Sequence, residues 1–213
     1  MYSERQTKEM RLTAERVRFW KNAAILKQTE GFPQLTYDQQ RMVLLSLYVQ
    51  DRHRRDLNAG ARYQSHGTPY HASYRDSSRH IAKSYCHGAI RNLEAGLPIA
   101  IDSYPQFSFP DNFFDTQYFP ITNEQDAIDL IESLGFPCVV FVNCLPVNRG
   151  IEYQSHTFLA LGHADKDIIT WEKWGLNVFY RLTTLTSQFN RHGREMYWGA
   201  RPLRQPAQIT SKD

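Results

Sequence analysis

The stretch SHTFLALGHADKDIITWEKWG, residues 155–175, decides the fold of this chain. Residues 157–162 and 168–171 are apolar, β-branched or aromatic runs, and the polar turn Asp165-Lys166-Asp167 separates them. Runs of this length around a polar turn predict two strands joined as an antiparallel hairpin. His156 precedes the first strand and Glu172 follows the second, so the hairpin is expected to bring them close together.

Further strands are predicted on both sides of this hairpin. Residues 138–145 (CVVFVNCL) precede it, and residues 178–182 and 196–200 follow it. Polar turns such as Asn148-Arg149-Gly150 separate the runs. The second half of the chain therefore predicts a meander of antiparallel strands.

Helical patterns fill the first part of the chain. Residues 7–30 carry apolar side chains at helical spacing on one face and Arg and Lys on the other. The apolar positions are Met10, Ala14, Val17 and Ala24. Thr36 and Gln39 have the spacing of a capping box before a second helix through residues 42–49. Residues 1–60 are thus predicted to be a helical hairpin region.

Two shorter helices are predicted before the strands. The first has Ser84 as its cap and Gly96 near its end, and its apolar positions are Ala89, Ile90, Leu93 and Leu97. The second is capped by Asn123 and stopped by Gly135, and its expected buried face is Leu130, Ile131 and Leu134. Helices first and strands afterwards indicate an α+β fold, with N-terminal helices followed by an antiparallel sheet. Residues 61–213 are expected to be its α+β domain.

Composition places limits on function. The 213 residues suit one domain with a full-sized core, and the longest apolar stretch, residues 138–145, is too short for a membrane span. The N-terminal residues lack the pattern of a cleavable signal, so a cytoplasmic protein, or one exported without such a signal, is expected.

Residues 1–60 carry 11 Lys and Arg against 7 Asp and Glu. This mild surplus makes nucleic acid an unlikely partner and leaves an acidic protein partner possible.

The cysteines do not predict a disulfide scaffold, and the histidines do not predict a metal site. The three cysteines, Cys86, Cys138 and Cys144, are an odd number without a pairing pattern, and the last two lie in an apolar strand where packing explains them. Five histidines cluster in sequence: His53, His66, His71, His80 and His87. Their spacing matches no common zinc motif, so no metal and no cofactor are expected.

Cys86, His156 and Glu172 form the constellation that predicts chemistry. A cysteine reacts as its thiolate, and Cys86 near a helix N-terminus meets unpaired N–H groups that favour negative charge. His156 at the start of a strand is the candidate general acid and base. Glu172 is the candidate group that holds the imidazole in the required tautomer. We therefore expect residues 61–213 to be a catalytic domain.

Several alternatives remain open from the residues alone. Asn177 is the alternative to Glu172 if the chain bends at Gly175. Tyr85 and His87 flank the candidate nucleophile and are possible oxyanion donors. Residues 104–120, rich in Phe, Tyr and Pro, are predicted to be a long surface loop that either lines a substrate groove or covers a satellite core.

The order of these motifs resembles the papain-like cysteine peptidase superfamily, and within it the NlpC/P60 and CHAP amidase branch. The resemblance covers about residues 80–185, and the motifs that carry it are Ser84-Tyr85-Cys86-His87-Gly88, Ser155-His156-Thr157-Phe158-Leu159 and Glu172-Lys173-Trp174-Gly175. It implies a Cys-His-Glu triad that cleaves a peptide, isopeptide or peptidoglycan amide without a cofactor. Tyr85 stands where the peptidoglycan branch commonly has Asp.

Three functions are compatible with this reading. The first is a cysteine hydrolase that acts on an amide or isopeptide bond of a peptide-like substrate. The second is a binding or scaffold protein on the same fold, whose basic N-terminal helices and aromatic loop form the partner surface. The third is an acyl transferase, similar to a transglutaminase, in which an amine replaces water.

Overall fold

The computed structural model of the chain describes residues 4–49, 86–94, 113, 115–143, 155–174, 179–192 and 196–205. Within them the chain forms five helices and six strands. In chain order they are α1 (Glu4–Gln28), α2 (Tyr37–Val49), α3 (Cys86–Glu94), β1 (Tyr118–Ile121), α4 (Glu124–Glu132), β2 (Cys138–Asn143), β3 (Ser155–Ala164), β4 (Asp167–Trp174), β5 (Phe179–Thr184), α5 (Leu185–His192) and β6 (Met196–Pro202). The architecture is the expected α+β class.

The six strands form one antiparallel sheet in the order β1-β6-β2-β3-β4-β5. The predicted hairpin of residues 155–175 is its β3-β4 pair. Asp165 closes the turn with a positive φ of 59°, which Asp tolerates better than most residues. A bulge between Ala160 and Gly162 shifts the register along the pair.

Helices cover both faces of the sheet, and each face has its own apolar core. On the first face, side chains of α1, α2 and α3 pack against alternate residues of the strands, such as Phe141, Leu159 and Trp171. On the second face, α4 and α5 pack against the residues between them, such as Val142 and Phe158. This alternation is what a sheet covered on both faces requires. Because α1 and α2 share the first core, residues of the predicted helical hairpin region contribute directly to the packing of the sheet.

The α1-α2 hairpin is held by the predicted cap and by a close backbone contact with β3. Thr36 Oγ1 accepts from the Gln39 backbone N–H at 3.3 Å, and Gln39 Oε1 accepts from the Thr36 N–H at 3.0 Å. The Gly31 N–H donates to the Leu161 carbonyl at 2.6 Å. Gly162, with φ of +121°, lies against the same turn, where an added Cβ would come within 2.9 Å of the Glu30 Cβ. The turn therefore docks where no side chain intervenes.

The apolar face expected for α1 is wrong. Met10 is 56% exposed, Val17 is 63% exposed, and Ala14 and Ala24 are exposed as well. The helix instead buries Ala23 and Leu26, which lie on the opposite side near its C-terminal end. Apolar spacing did not identify the buried face, because the position of α2 and β3 decides it: Leu26, in the last turns of α1, packs into the first core with residues of both.

The helix capped by Asn123 is confirmed, but its buried face differs from the expected one. The Asn123 and Asp126 side chains form a reciprocal capping box, and Gly135 follows the helix with a positive φ of 74°. Ala127 and Ile131 are buried, whereas Leu130 is only partly buried. Leu134 is 38% exposed because α4 ends at Glu132, before that position.

Two elements were not predicted from the sequence. Strand β1 lies at the end of the stretch expected to be a loop, and it contains Pro120, which the outer position in the sheet tolerates. Helix α5 has only two buried apolar residues, Leu185 and Phe189, so its pattern is weak. Thr184 Oγ1 accepts from the Ser187 N–H at 3.2 Å and so caps it. The rest of the expected loop, apart from Phe113 and residues 115–117, lies outside the described residues.

No helix among the described residues has both the length and the apolar character needed to cross a membrane.

Candidate active site

Cys86 is the first described residue of α3, near the helix N-terminus at which the sequence predicted it; the expected cap Ser84 and the expected end near Gly96 lie outside the described residues. Ala89, Ile90 and Leu93 bury the helix against the first face of the sheet. This packing fixes the N-terminal end of α3 beside the start of β3, where His87 Nδ1 forms a short hydrogen bond with Thr157 Oγ1. Cys86 is 6% exposed.

His156 and Glu172 form a buried hydrogen-bonded pair. Leu159 lies opposite Trp171 in the β3-β4 ladder, which makes His156 and Glu172 diagonal neighbours on one face. His156 Nε2 and Glu172 Oε2 are 2.5 Å apart. His156 is 8% exposed and Glu172 is fully buried. The hairpin therefore brings His156 and Glu172 into contact, as the spacing of these residues predicted.

Cys86 completes the site, because its side chain lies close enough to His156 to raise the pKa of that ring through its charge and through hydrogen bonding. Since Nε2 faces Glu172, Nδ1 is the ring nitrogen left for the sulfur. Strand alternation puts His156 beside Val142 on the second face of the sheet, whereas α3 packs on the first. The thiol and the imidazole thus meet at the end of the sheet, where His156 is the second residue of β3.

Glu172 also binds two arginines that the sequence reading did not identify. Oε1 accepts a short hydrogen bond from Arg181 Nε and one from Arg191 Nη1 at 3.0 Å. Burial alone would raise the pKa of Glu172, but the hydrogen bond and charge of His156, the Gln188 side chain and Arg181 outweigh it. The net effect holds the pKa of Glu172 well below its ordinary range, so the carboxylate is charged.

The carboxylate and the thiol in turn favour a charged His156. Burial lowers the pKa of His156, but the charge and hydrogen bond of Cys86 and those of Glu172 together raise it to about 9. The ring is therefore an imidazolium near neutral pH. It carries a proton that a leaving group can receive.

Two more histidines border this pair, and both are neutral. Burial, aided by the charge of His156, lowers the pKa of His87 to about 3. Burial also lowers the pKa of His192 to about 3, again with His156 as the next cause. His192 stacks on His156 with ring centroids 4.7 Å apart and planes inclined by 20°. Lys173 lies within electrostatic range of Cys86, and burial lowers its pKa to about 8.

The remaining candidates from the sequence have different outcomes. Cys138 is fully buried in β2, and burial raises its pKa to about 12, which fits a packing role. Cys144, Asn177 and Tyr85 lie outside the described residues. Of the clustered histidines only His87 is described, and its Nδ1 is bound to Thr157. In the described part of the chain, no group of three His, Cys, Asp or Glu side chains is arranged to hold a metal ion.

The position of Arg181 near Glu172 could have been predicted from the sequence, whereas the positions of the α5 residues could not. Arg181 lies directly opposite Glu172 in the β4-β5 ladder, so a correct register for β5 would have paired the two. Arg191 and His192 reach the site only because α5 folds back over the second face of the sheet.

Comparison of the chain with protein-family models, with curated protein sequences and with solved structures finds no match.

Proposed function

We propose that the chain is a cysteine hydrolase that cleaves an amide or isopeptide bond with Cys86, His156 and Glu172, in the manner of papain-like enzymes. One observation supports this above all others: the His156 ring is hydrogen-bonded to the Glu172 carboxylate, and the Cys86 side chain lies close enough to the same ring to raise its pKa. A nucleophile, a base and a group that orients the base are the three parts that covalent acyl transfer requires.

The proposed reaction begins at the Cys86 sulfur. The thiolate attacks the carbonyl carbon, a C–S bond forms, and the electrons of the carbonyl π bond move to oxygen. Backbone N–H groups at the N-terminal end of α3 are the proposed donors for that oxyanion. The His156 imidazolium gives its proton to the amide nitrogen as the C–N bond breaks, which releases an amine and leaves a thioester.

The second half of the reaction restores the enzyme. Water attacks the thioester while His156 takes one of its protons, and the C–S bond then breaks to release a carboxylic acid and the thiolate. Glu172 stays ionised throughout and stabilises the imidazolium. Its bond to Nε2 leaves Nδ1 as the nitrogen that moves the proton. No cofactor takes part in these steps.

Alkylation of the cysteines tests the nucleophile. A small iodoacetamide probe at about pH 6 should modify Cys86 ahead of Cys138 and Cys144 if Cys86 is an activated thiolate, with each site quantified by peptide mass spectrometry. His156→Gln should slow modification of Cys86, whereas Cys138→Ala is the matched control that should leave it unchanged. Equal, slow labelling of all cysteines in the native protein would instead favour a scaffold protein.

Product analysis then separates hydrolysis from transfer. Digestion of an amide-containing peptide library in the presence of a primary amine should yield the free acid from a hydrolase. An amine conjugate in its place would identify the chain as an acyl transferase that uses the same three residues.

A further inference from the structure

We propose that α5 is a positioning element for the His156-Glu172 pair, and that His192 acts in it as a positioning residue through its stack on the His156 ring. This inference rests on the proposed function for its catalytic meaning. Its structural part concerns the orientation of His156 alone and is testable separately.

Three side chains of α5 reach the strands that carry the pair. Gln188, Arg191 and His192 have the i, i+3 and i+4 spacing that places residues on one helical face. Gln188 Nε2 donates to Thr170 Oγ1 at 3.3 Å, and Thr170 is two residues before Glu172 on β4. Arg191 Nη1 donates to Glu172 Oε1 at 3.0 Å. The helix therefore contacts β4 at two points on the side opposite α3.

His192 contacts the general acid itself. Its ring lies nearly parallel to the His156 ring, with 4.7 Å between the centroids. Phe158 also contacts His156, but it is tilted by 35° and its centroid is 6.2 Å away. A ring that covers one face of His156 restricts rotation about its χ2 torsion, which is otherwise broad for histidine. Rotation would break the bond of Nε2 to Glu172 and would move Nδ1 at the same time.

The charges around His192 explain why a neutral ring suits this position. His156, Glu172, Arg191 and Arg181 all act on it electrostatically, and burial is the largest influence on its pKa. Three of these four groups are cationic, so a protonated His192 would repel them. A neutral imidazole instead presents an aromatic face to the imidazolium, which is an attractive arrangement.

Two variants of His192 and one control test the stack. His192→Phe keeps an aromatic ring without a titratable group, and His192→Ala removes the ring. His163→Ala is the control, because His163 is exposed and bound to Glu132 far along β3. The readouts are the downfield Nε2–H proton resonance of His156, protected from exchange by Glu172, and the rate of Cys86 alkylation.

We expect His192→Ala to lose the protected proton and to slow alkylation by about tenfold to a hundredfold, because the ring no longer keeps its orientation. His192→Phe should retain both properties, as should His163→Ala. If His192→Ala matches the control in both readouts, or if His192→Phe fails as completely as His192→Ala, the positioning role of the stack is wrong.

The two readouts separate this inference from the proposed function. If the native protein shows the protected proton but Cys86 is inert, the hydrolase proposal fails. Loss of the protected proton resonance in His192→Ala would then still support the proposal that His192 orients His156. Arg191→Lys should preserve the proton, and Arg191→Met should weaken its protection, which checks the α5 contact to Glu172 without changing His192.

Discussion

Glu172 is the residue on which the site depends most. It is a fully buried carboxylate that contacts one imidazolium and two guanidinium groups. The two arginines bind Oε1 and His156 binds Oε2, so the histidine is oriented by a carboxylate that also pairs with two cations. Removal of one partner from a buried group of charges lowers the stability of the folded protein, because the remaining charges stay buried without a neutralising neighbour.

Glu172→Gln is therefore expected to destabilise the protein by about 3–5 kcal/mol at neutral pH. The pKa of Glu172 is lowered in the folded state, so its contribution is present above the unfolded value of about 4.5 and is lost as pH falls toward the folded value. Urea denaturation should show a smaller difference between the variant and the native protein near pH 3 than near pH 7. A difference that does not change with pH would contradict the buried ion pair.

The proposed role of His156 predicts an alkaline limit for the proposed amide cleavage. In that mechanism the leaving nitrogen needs the imidazolium proton, and the pKa of His156 is raised to about 9. The rate of acylation should decline as pH rises through that value. The raised pKa of His156 also contributes to the free energy of unfolding. This contribution is fully present below about pH 6.5 and is lost as pH rises through about 9. A pH-rate profile that keeps rising above that pH would show that His156 is not the proton donor.

At the scale of single elements, α1 shows how packing decides which side of a helix is buried. Its apolar residues Met10 and Val17 lie at helical spacing, yet both are exposed, while Leu26 is fully buried in the first core. Sequence periodicity describes the helix alone. The position of α2 and the sheet determines which side the last turns of α1 cover.

Two truncations in α1 separate its exposed and buried sides. Leu26→Ala should lower the free energy of unfolding by about 2–5 kcal/mol, because it leaves a cavity in the core. Val17→Ala, the matched variant on the same helix, should change it by less than about 0.5 kcal/mol. Chemical denaturation measures both, and similar costs at the two positions would mean that the packing of α1 differs from this arrangement.

The whole molecule depends on close docking of the α1-α2 turn on the β3-β4 hairpin. Gly31 and Gly162 meet there, and both lack room for a side chain. This contact joins the N-terminal helices to the two strands that carry His156 and Glu172. The helices therefore support the site through the sheet, in addition to any role in binding a partner.

A pair of glycine substitutions tests this docking. Gly162→Ala should cost more stability than Gly135→Ala, because both glycines have positive φ but only Gly162 faces atoms at clashing distance. Gly135→Ala should cost about 1–2 kcal/mol for the backbone conformation alone. Equal thermal unfolding midpoints for the two variants would show that the turn does not dock closely on β3.

The features that could be predicted from the sequence are those that depend on residues close together in the chain. The hairpin at residues 155–175, the Thr36 cap and the Asn123 helix are each encoded by neighbouring residues, and so is the contact between His156 and Glu172. Arg191 and His192 were missed because their place depends on how α5 folds over the sheet. Strand β1 was missed because Pro120 and the surrounding aromatic residues obscure its period.

The measurement that tests the central proposal most directly is the detection of an acyl group on Cys86. An activated ester or a reactive peptide amide would be mixed with the protein, and peptide mass spectrometry would follow the acyl adduct over time. We predict a thioester on Cys86 that forms and is then hydrolysed in the native protein, and that forms far more slowly in His156→Gln. Acylation that spreads equally over many nucleophiles, at the same rate in both proteins, would contradict the proposed role of Cys86.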